Sequence, residues 1–417
     1  MIETPLTLPC GHTLANRIGK AAMTEGLADA QDRPTVAHQR LYRTWAEGGA
    51  ALLLTGNIMI DRRYLERAGN VVAEDAAIVA PMRQWADATH AGGSTLWAQI
   101  SHPGRQCPRL VNRTPMAPSA VQLEIAGNFG RPREATEADI QDVIRRFAAT
   151  AGWMKAAGLD GVQVHAAHGY LLSQFLSPRT NQRTDGWGGS LENRARLLME
   201  VVAAVRTAVG PSYPVAVKLN SSDFVKGGFT LGECLQVVQW LGEAGIDLLE
   251  VSGGTYEQLE FFKPQAEIRD STRVREAMFL QYAAAIKGVA RMPIMVTGGF
   301  RTRAGMEAAL TSGDTDLIGL ARPFCVQPDF PKQLFAGTVD RLAVDEDRLV
   351  LGTGFWGPNS RSPTLRALNN QVQAGWYYHQ IERLGAGLAP EPACTPLRAL
   401  MAHFSADFFR AMRRKFA

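Results

Sequence analysis

The chain has 417 residues, 46% hydrophobic and 20% charged, a composition that excludes intrinsic disorder and allows a large buried core. Its 44 basic and 40 acidic residues leave a formal charge of +4 with no basic stripe, so no nucleic-acid partner is expected. Cys10, Cys107, Cys234, Cys325 and Cys394 lie too far apart for a CxxC pair, which argues against a metal centre, an iron–sulfur cluster or a disulfide framework.

The start, MIETPLTLPCGHT, has no signal-peptide pattern, and no apolar run approaches about 18 residues, so a cytoplasmic protein without a membrane partner is expected. Short apolar, β-rich segments then alternate with helical patterns. The candidate strands are Ile18 to Met23, Ala51 to Thr55, Leu96 to Ile100, Val162 to His165, Val215 to Leu219, Leu248 to Val251, Ile294 to Thr297 and Leu317 to Leu320. Eight strand–helix pairs predict an α/β fold, a closed (β/α)8 TIM barrel over residues 1–330, with residues 331–417 as a helical extension packed on it.

Thr136-Glu-Ala-Asp139 and Thr230-Leu-Gly-Glu233 match the capping-box pattern and open helices expected to run to about Ala157 and Ala244. Each precedes a glycine and then a strand, in AGLDGVQVH and AGIDLLEVS. The Pro-, Asn- and Gly-rich stretch from Pro108 to Pro132 predicts a long excursion partly covering the barrel mouth.

A doubly wound sheet would need a glycine-rich phosphate loop after an early strand, and none is present. The GxGxxG of Gly352 to Gly357 comes after the barrel and runs into Pro-Asn-Ser-Arg-Ser-Pro, which is not expected to open a helix, so it reads as a loop. Trp376, Tyr377 and Tyr378 are expected in the core rather than in a neighbouring subunit's mouth. The basic tail with Arg410, Arg413, Arg414 and Lys415 reads as a solvated helix end.

The chemistry concentrates in the run from Gly161 to Arg196. His165, His168 and Tyr170 follow the tip of the fourth strand, where a parallel barrel carries its catalytic mouth. Each histidine can donate an N–H to a carbonyl or nitro oxygen. A tyrosine, with a reference pKa of about 10, can deliver one proton at neutral pH. No side chain supplies hydride, so a redox cofactor is required.

The segment HAAHGYLLSQFLSPRTNQRTDGWGGSLENR resembles the signature of the Old Yellow Enzyme family of FMN-dependent oxidoreductases, and further matches run from about Asn16 to Asp329, three quarters of the chain. The resemblance implies FMN as cofactor and NADPH or NADH as reductant. It implies that His165 and His168 bind the electron-withdrawing group of a small-molecule substrate and that Tyr170 protonates the alkene carbon opposite the hydride.

It further implies that Ala22, Met23 and Thr24, at the end of strand one, lie beside the flavin ring, the Thr24 hydroxyl near its O4 edge. Gly56 suits close approach of a flat ring. Gln99, in a segment similar to the family's AQLxHxGR, offers a donor and an acceptor to the pyrimidine edge, whereas His102 and Arg105 read as supports of the loop. Lys218, in a strand-five motif KLNSxDFxxGGF, stands where many relatives have arginine and would stabilise the reduced ring. Gly298, Gly299, Ala321 and Arg322, at the tips of strands seven and eight, suit a phosphate.

Together these predict an ene-reductase that reduces α,β-unsaturated carbonyl or nitro compounds in alternating half-reactions, possible as a homo-oligomer. The alternatives are another reaction of the same family, oxidative demethylation or NADH oxidation, and a barrel lyase forming a Schiff base at Lys218.

Overall fold

The computed structural model describes residues 1–125, 127–252 and 282–416. Its centre is a sheet of eight parallel strands: β1 (Ile18–Lys20), β2 (Leu52–Met59), β3 (Thr95–Ser101), β4 (Gly161–Ala166), β5 (Val215–Asn220), β6 (Leu248–Ser252), β7 (Ile294–Thr297) and β8 (Leu317–Leu320). Each pairs with the next and β8 pairs with β1, so the sheet closes. All eight expected strands are present. β1 is three residues shorter than expected, because Ala21 onward leaves the ladder and forms a loop at the mouth.

The helices include α1 (Val36–Glu47), α2 (Val79–Ala91), α3 (Glu137–Ala156), α4 (Leu171–Leu176), α5 (Leu191–Val209), α6 (Leu231–Glu243), α7 (Arg303–Ser312), α8 (Arg322–Val326), α9 (Pro363–Gly385) and α10 (Pro396–Phe416), with a further short helix at Phe330–Phe335. Both expected capping boxes form, at Thr136 with Asp139 and at Thr230 with Glu233. The helix expected between β6 and β7 lies partly at 253–281, outside the described residues; 282–287 are helical.

The barrel floor is apolar. Leu6, Leu8 and Leu14 of an N-terminal hairpin pack with Leu52, Leu54, Trp97, Ala216, Leu248, Met295 and Leu317 from six strands. A larger cluster fills the space between the strands and the surrounding helices.

The GxGxxG segment is a loop with one 3-10 turn, Gly354–Trp356, as expected. The stretch after it corrects the expectation: it does open a helix, α9, with Pro363 in its first turn and the Ser362 hydroxyl accepting from the Leu365 amide. Proline suits that position because its missing N–H has no intrahelical partner there. α9 packs on α1 and α10, with Trp376 fully buried and its indole N–H donating to the Cys394 carbonyl. No helix among the described residues is long and apolar enough to cross a membrane.

Candidate active site

The tip of β4 brings the three predicted chemical residues together. The His165 ring lies 5.2 Å from that of His168 and 4.8 Å from that of Tyr170, both edge-on. His168 has φ +60°, in the left-handed region, a conformation that costs energy in a non-glycine residue and is retained where surroundings enforce it. Here the Asn220 side chain accepts from the His168 amide at 3.1 Å and Ser252 Oγ meets His168 Nε2 at 2.6 Å. Burial is the largest cause pushing both imidazoles well below the ordinary histidine range, and the nearby Lys218 charge adds to it. Both rings are neutral at pH 7. His165 Nδ1 accepts from the Ala167 amide at 3.2 Å, so its proton sits on Nε2, ready to donate. The Tyr170 hydroxyl accepts from Asn57 Nδ2 at 3.4 Å.

Deeper in the barrel, Gln99 and Lys218 belong to one buried polar row. Gln99 Nε2 donates to Gln163 Oε1 at 2.7 Å, Gln163 Nε2 donates to Glu250 Oε2 at 2.8 Å, and Lys218 Nζ pairs with Glu250 Oε1 at 2.8 Å. Sequence reasoning missed Gln163 and Glu250. Their signal was an amide and a carboxylate inside otherwise apolar strands, GVQVHA and LLEVS.

A second network shapes the loop after β1. Lys20 Nζ donates to the Leu54 carbonyl at 2.6 Å and to Tyr42 Oη at 2.9 Å; Tyr42 donates to Glu25 Oε1 at 2.5 Å, which also accepts from the Gly56 amide at 2.7 Å. Burial lowers Lys20 to about 8. The register of β2 against β3 shifts between Leu54 and Asn57, a bulge of the kind that re-aims strand ends beside active sites. A Cβ on Gly56 would lie 2.3 Å from Glu25 Oε2 and 2.5 Å from the Met23 carbonyl. The glycine is therefore required by the β1 loop packing on it.

Ala22, Met23 and Thr24 are half-buried at this rim. The Thr24 hydroxyl donates to Glu66 Oε2 at 3.0 Å, and burial raises Glu66 above the usual carboxylate range.

The opposite rim is formed by the tips of β7 and β8. Gly298 and Gly299 have φ +105° and +82°, and among the described residues nothing lies within 4 Å of where a Gly298 Cβ would be. Arg322 opens α8, with its guanidinium 2.9 Å from Glu346 Oε1, an oxygen that Arg301 also reaches at 3.0 Å. Tyr377 lies against the same arginine, 5.7 Å from ring centre to guanidinium. Glu346 comes from beyond the barrel and was not foreseen.

His102 and Arg105 support the loop, as expected. His102 Nδ1 accepts from the Gly104 amide at 3.0 Å, and Arg105 donates to the Val121 carbonyl at 3.4 Å. Among the described residues, His379, Glu391 and Cys394 have potential ligand atoms within 4.8 Å of one another. Glu391 is already paired with Arg383 and Arg398, whose charges oppose a cation.

The chain matches the model of the NADH:flavin oxidoreductase / NADH oxidase family over residues 2–340. It belongs to that family. Members related to it include the NADH-dependent flavin oxidoreductase iliE of Hypocrea jecorina (strain QM6a), 37% identical over 79% of this chain and 87% of that protein. The protein of the same name from Neonectria sp. (strain DH2) is 39% identical over 79% of this chain, which spans only 46% of it. The solved Old Yellow Enzyme homologue of Zymomonas mobilis superposes with a TM-score of 0.69 at 26% identity, covering 83% of this chain and 95% of that one.

Family membership brings FMN and a reduced nicotinamide, and the protein is a flavin-dependent oxidoreductase. The residues present fit such a group. The glycine tips and Arg322 suit a phosphate, and Asn57 Oδ1, Ser221 Oγ and Thr297 Oγ1, near the ends of three strands, are buried with no hydrogen-bond partner among the described residues.

Proposed function

We propose that the protein reduces activated C=C bonds of α,β-unsaturated carbonyl or nitro compounds. The observation that supports this most is the convergence of His165, His168 and Tyr170 at the tip of β4, with both imidazoles neutral. The β1–β2 rim and the Gly298–Gly299–Arg322 rim would hold FMN, whose chemistry would be hydride transfer with NADH or NADPH as reductant. His165 and His168 hold the acceptor oxygen and draw electron density from the conjugated bond. Tyr170 delivers a proton to the α carbon, its hydroxyl oriented by Asn57. Polarisation and placement at near-attack distance together supply several kcal/mol of barrier lowering.

The test is an anaerobic visible spectrum with NADH or NADPH, followed by 2-cyclohexenone. The expected result is a flavin spectrum that bleaches and then recovers. Tyr170→Phe slows the recovery by about a hundredfold or more and spares the bleaching; equal loss in both steps overturns the assignment of Tyr170. A second reading, oxygen as acceptor, is supported by the family's description as NADH oxidases. It predicts steady peroxide production that Tyr170→Phe does not slow. The match to a flavin-oxidoreductase family supports a flavin-dependent reaction over a Schiff base at Lys218.

A further inference from the structure

The row Gln99, Gln163, Glu250, Lys218 has a direction that its chemistry enforces. Exposures are 2%, 0%, 0% and 3%, so the row is closed to bulk solvent. Lysine only donates hydrogen bonds, and a carboxylate only accepts. With Glu250 Oε1 held by the Lys218 charge as an ion pair, its Oε2, which can only accept, must receive the NH2 half of Gln163 at 2.8 Å. That turns Gln163 Oε1 toward Gln99 at 2.7 Å, and Gln99 must answer with its own NH2. Two amides whose orientation is normally ambiguous are therefore fixed by one buried charge pair. The Gln99 carbonyl is left to accept from a donor outside the row, and the imide N–H of a flavin's pyrimidine edge is such a donor.

We propose that Glu250 is a positioning residue that acts through Gln163 to set the polarity of the Gln99 amide toward the flavin imide, while fixing Lys218 beside it. The inference rests on the reading that Gln99 and Lys218 face the flavin. In a low-dielectric interior such a chain of hydrogen bonds polarises along its length, so the carboxylate is felt two residues away. Neither Glu250 nor Gln163 touches a reacting atom in this scheme.

The experiment uses holoenzyme loaded with 15N-labelled FMN and compares Gln163→Met, Glu250→Gln and Gln99→Leu. Gln163→Met removes the relay and leaves the Lys218–Glu250 pair, so it stays informative even if Glu250→Gln fails to fold. The expected result for Gln163→Met is an upfield shift of the flavin N3 resonance and FMN release on dilution about tenfold easier, the worth of one hydrogen bond. Glu250→Gln shows both effects and also raises the flavin midpoint potential, because Lys218 loses its counter-charge near the reduced ring. If Gln99→Leu shifts N3 and loosens FMN while Gln163→Met leaves both as in the wild type, the relay is refuted. If Gln99→Leu also changes nothing, it is the placement of the flavin edge at Gln99 that fails.

Discussion

Lowering the pH from 7 to 5 should destabilise this protein through its buried histidines before most of its carboxylates titrate. Burial lowers His38 to about 3, His102 to about 4 and His403 to about 4, from an ordinary 6.5. The sign follows from proton counting. Below 6.5 the unfolded chain takes up protons that the native state refuses, so stability falls as pH falls and is untouched above pH 6.5. At pH 5 each of the three costs about 2 kcal/mol, 1.36 kcal/mol for each of about 1.5 pH units. Their sum, about 6 kcal/mol, is comparable to the whole stability of an ordinary domain.

His165 acts in the same direction. His90 opposes them, because Asp160 at 2.7 Å raises it, but it is partly exposed and its effect is screened; buried Glu66, also raised, opposes them too. Asp61 and Asp142 are lowered and titrate only below this window. The assay is urea unfolding at half-unit steps from pH 7 to 5, on wild type and His38→Gln. Glutamine can accept from the Thr35 amide as His38 Nδ1 does at 3.0 Å, so the helix cap survives while the titration is lost. The slope between pH 6 and 5 should drop by about 1.4 kcal/mol per pH unit in the variant. A flat stability profile, or an unchanged slope in His38→Gln, refutes the reasoning.

Other outcomes follow from the same contacts. Gly56→Ala places a methyl 2.3 Å from Glu25 Oε2 and 2.5 Å from the Met23 carbonyl; it should cost about 1–3 kcal/mol and lower the FMN content of purified protein, read from thermal melting and the visible spectrum. Glu346→Gln frees Arg301 and Arg322 from a carboxylate about 3 Å away and should tighten FMN binding severalfold at low salt. Unchanged or weaker binding in a flavin-fluorescence titration would remove Arg322 from the phosphate site. Arg67, paired with Asp407 and stacked 4.0 Å over Tyr378, pins α10 to the loop after β2. Arg67→Met should speed hydrogen exchange across α10 by about tenfold or more, while exchange in β3 and β4 stays as in the wild type.

The barrel was legible because burial on both faces forces each parallel strand to be a continuous apolar run, and eight such runs stand apart in this chain. The histidine–tyrosine cluster was legible because its members are close in sequence. What the sequence hid is pairing across long separations. Glu250 and Gln163 are 87 residues apart, and no local pattern says that one orients the other. Glu346 reaches Arg322 from beyond the barrel, and Glu66 takes the Thr24 hydroxyl from the next strand's loop. Gly56 was noticed for the close approach it permits, but not for the backbone of Met23 and Thr24 that presses on it from the β1 loop. The basic tail, read as solvated, uses Arg410 and Arg414 in ion pairs with Glu382 and Asp32, which depend on a helix packing that tail composition does not reveal.

The two lysines inside the barrel show how one interior can serve both folding and chemistry. A buried charge is tolerated only when partnered, and removing one partner costs more than the pair contributes. Lys20 meets this condition with neutral oxygens, the Leu54 carbonyl and the Tyr42 hydroxyl, and the carboxylate beyond them, Glu25, is engaged with the Gly56 amide at the bulge of β2. Its charge is thereby converted into the shape of the β1 rim. Lys218 meets the condition with a carboxylate directly, and the remaining oxygen of Glu250 orients two amides in turn. Its charge is converted into a pattern of donors and acceptors. Below both lies the Leu, Met and Trp floor sealed by the hairpin, which supplies burial without polar demands. The polar groups are therefore collected at the C-terminal end of the strands, where each hydrogen bond left over from an internal pair is available to a ligand.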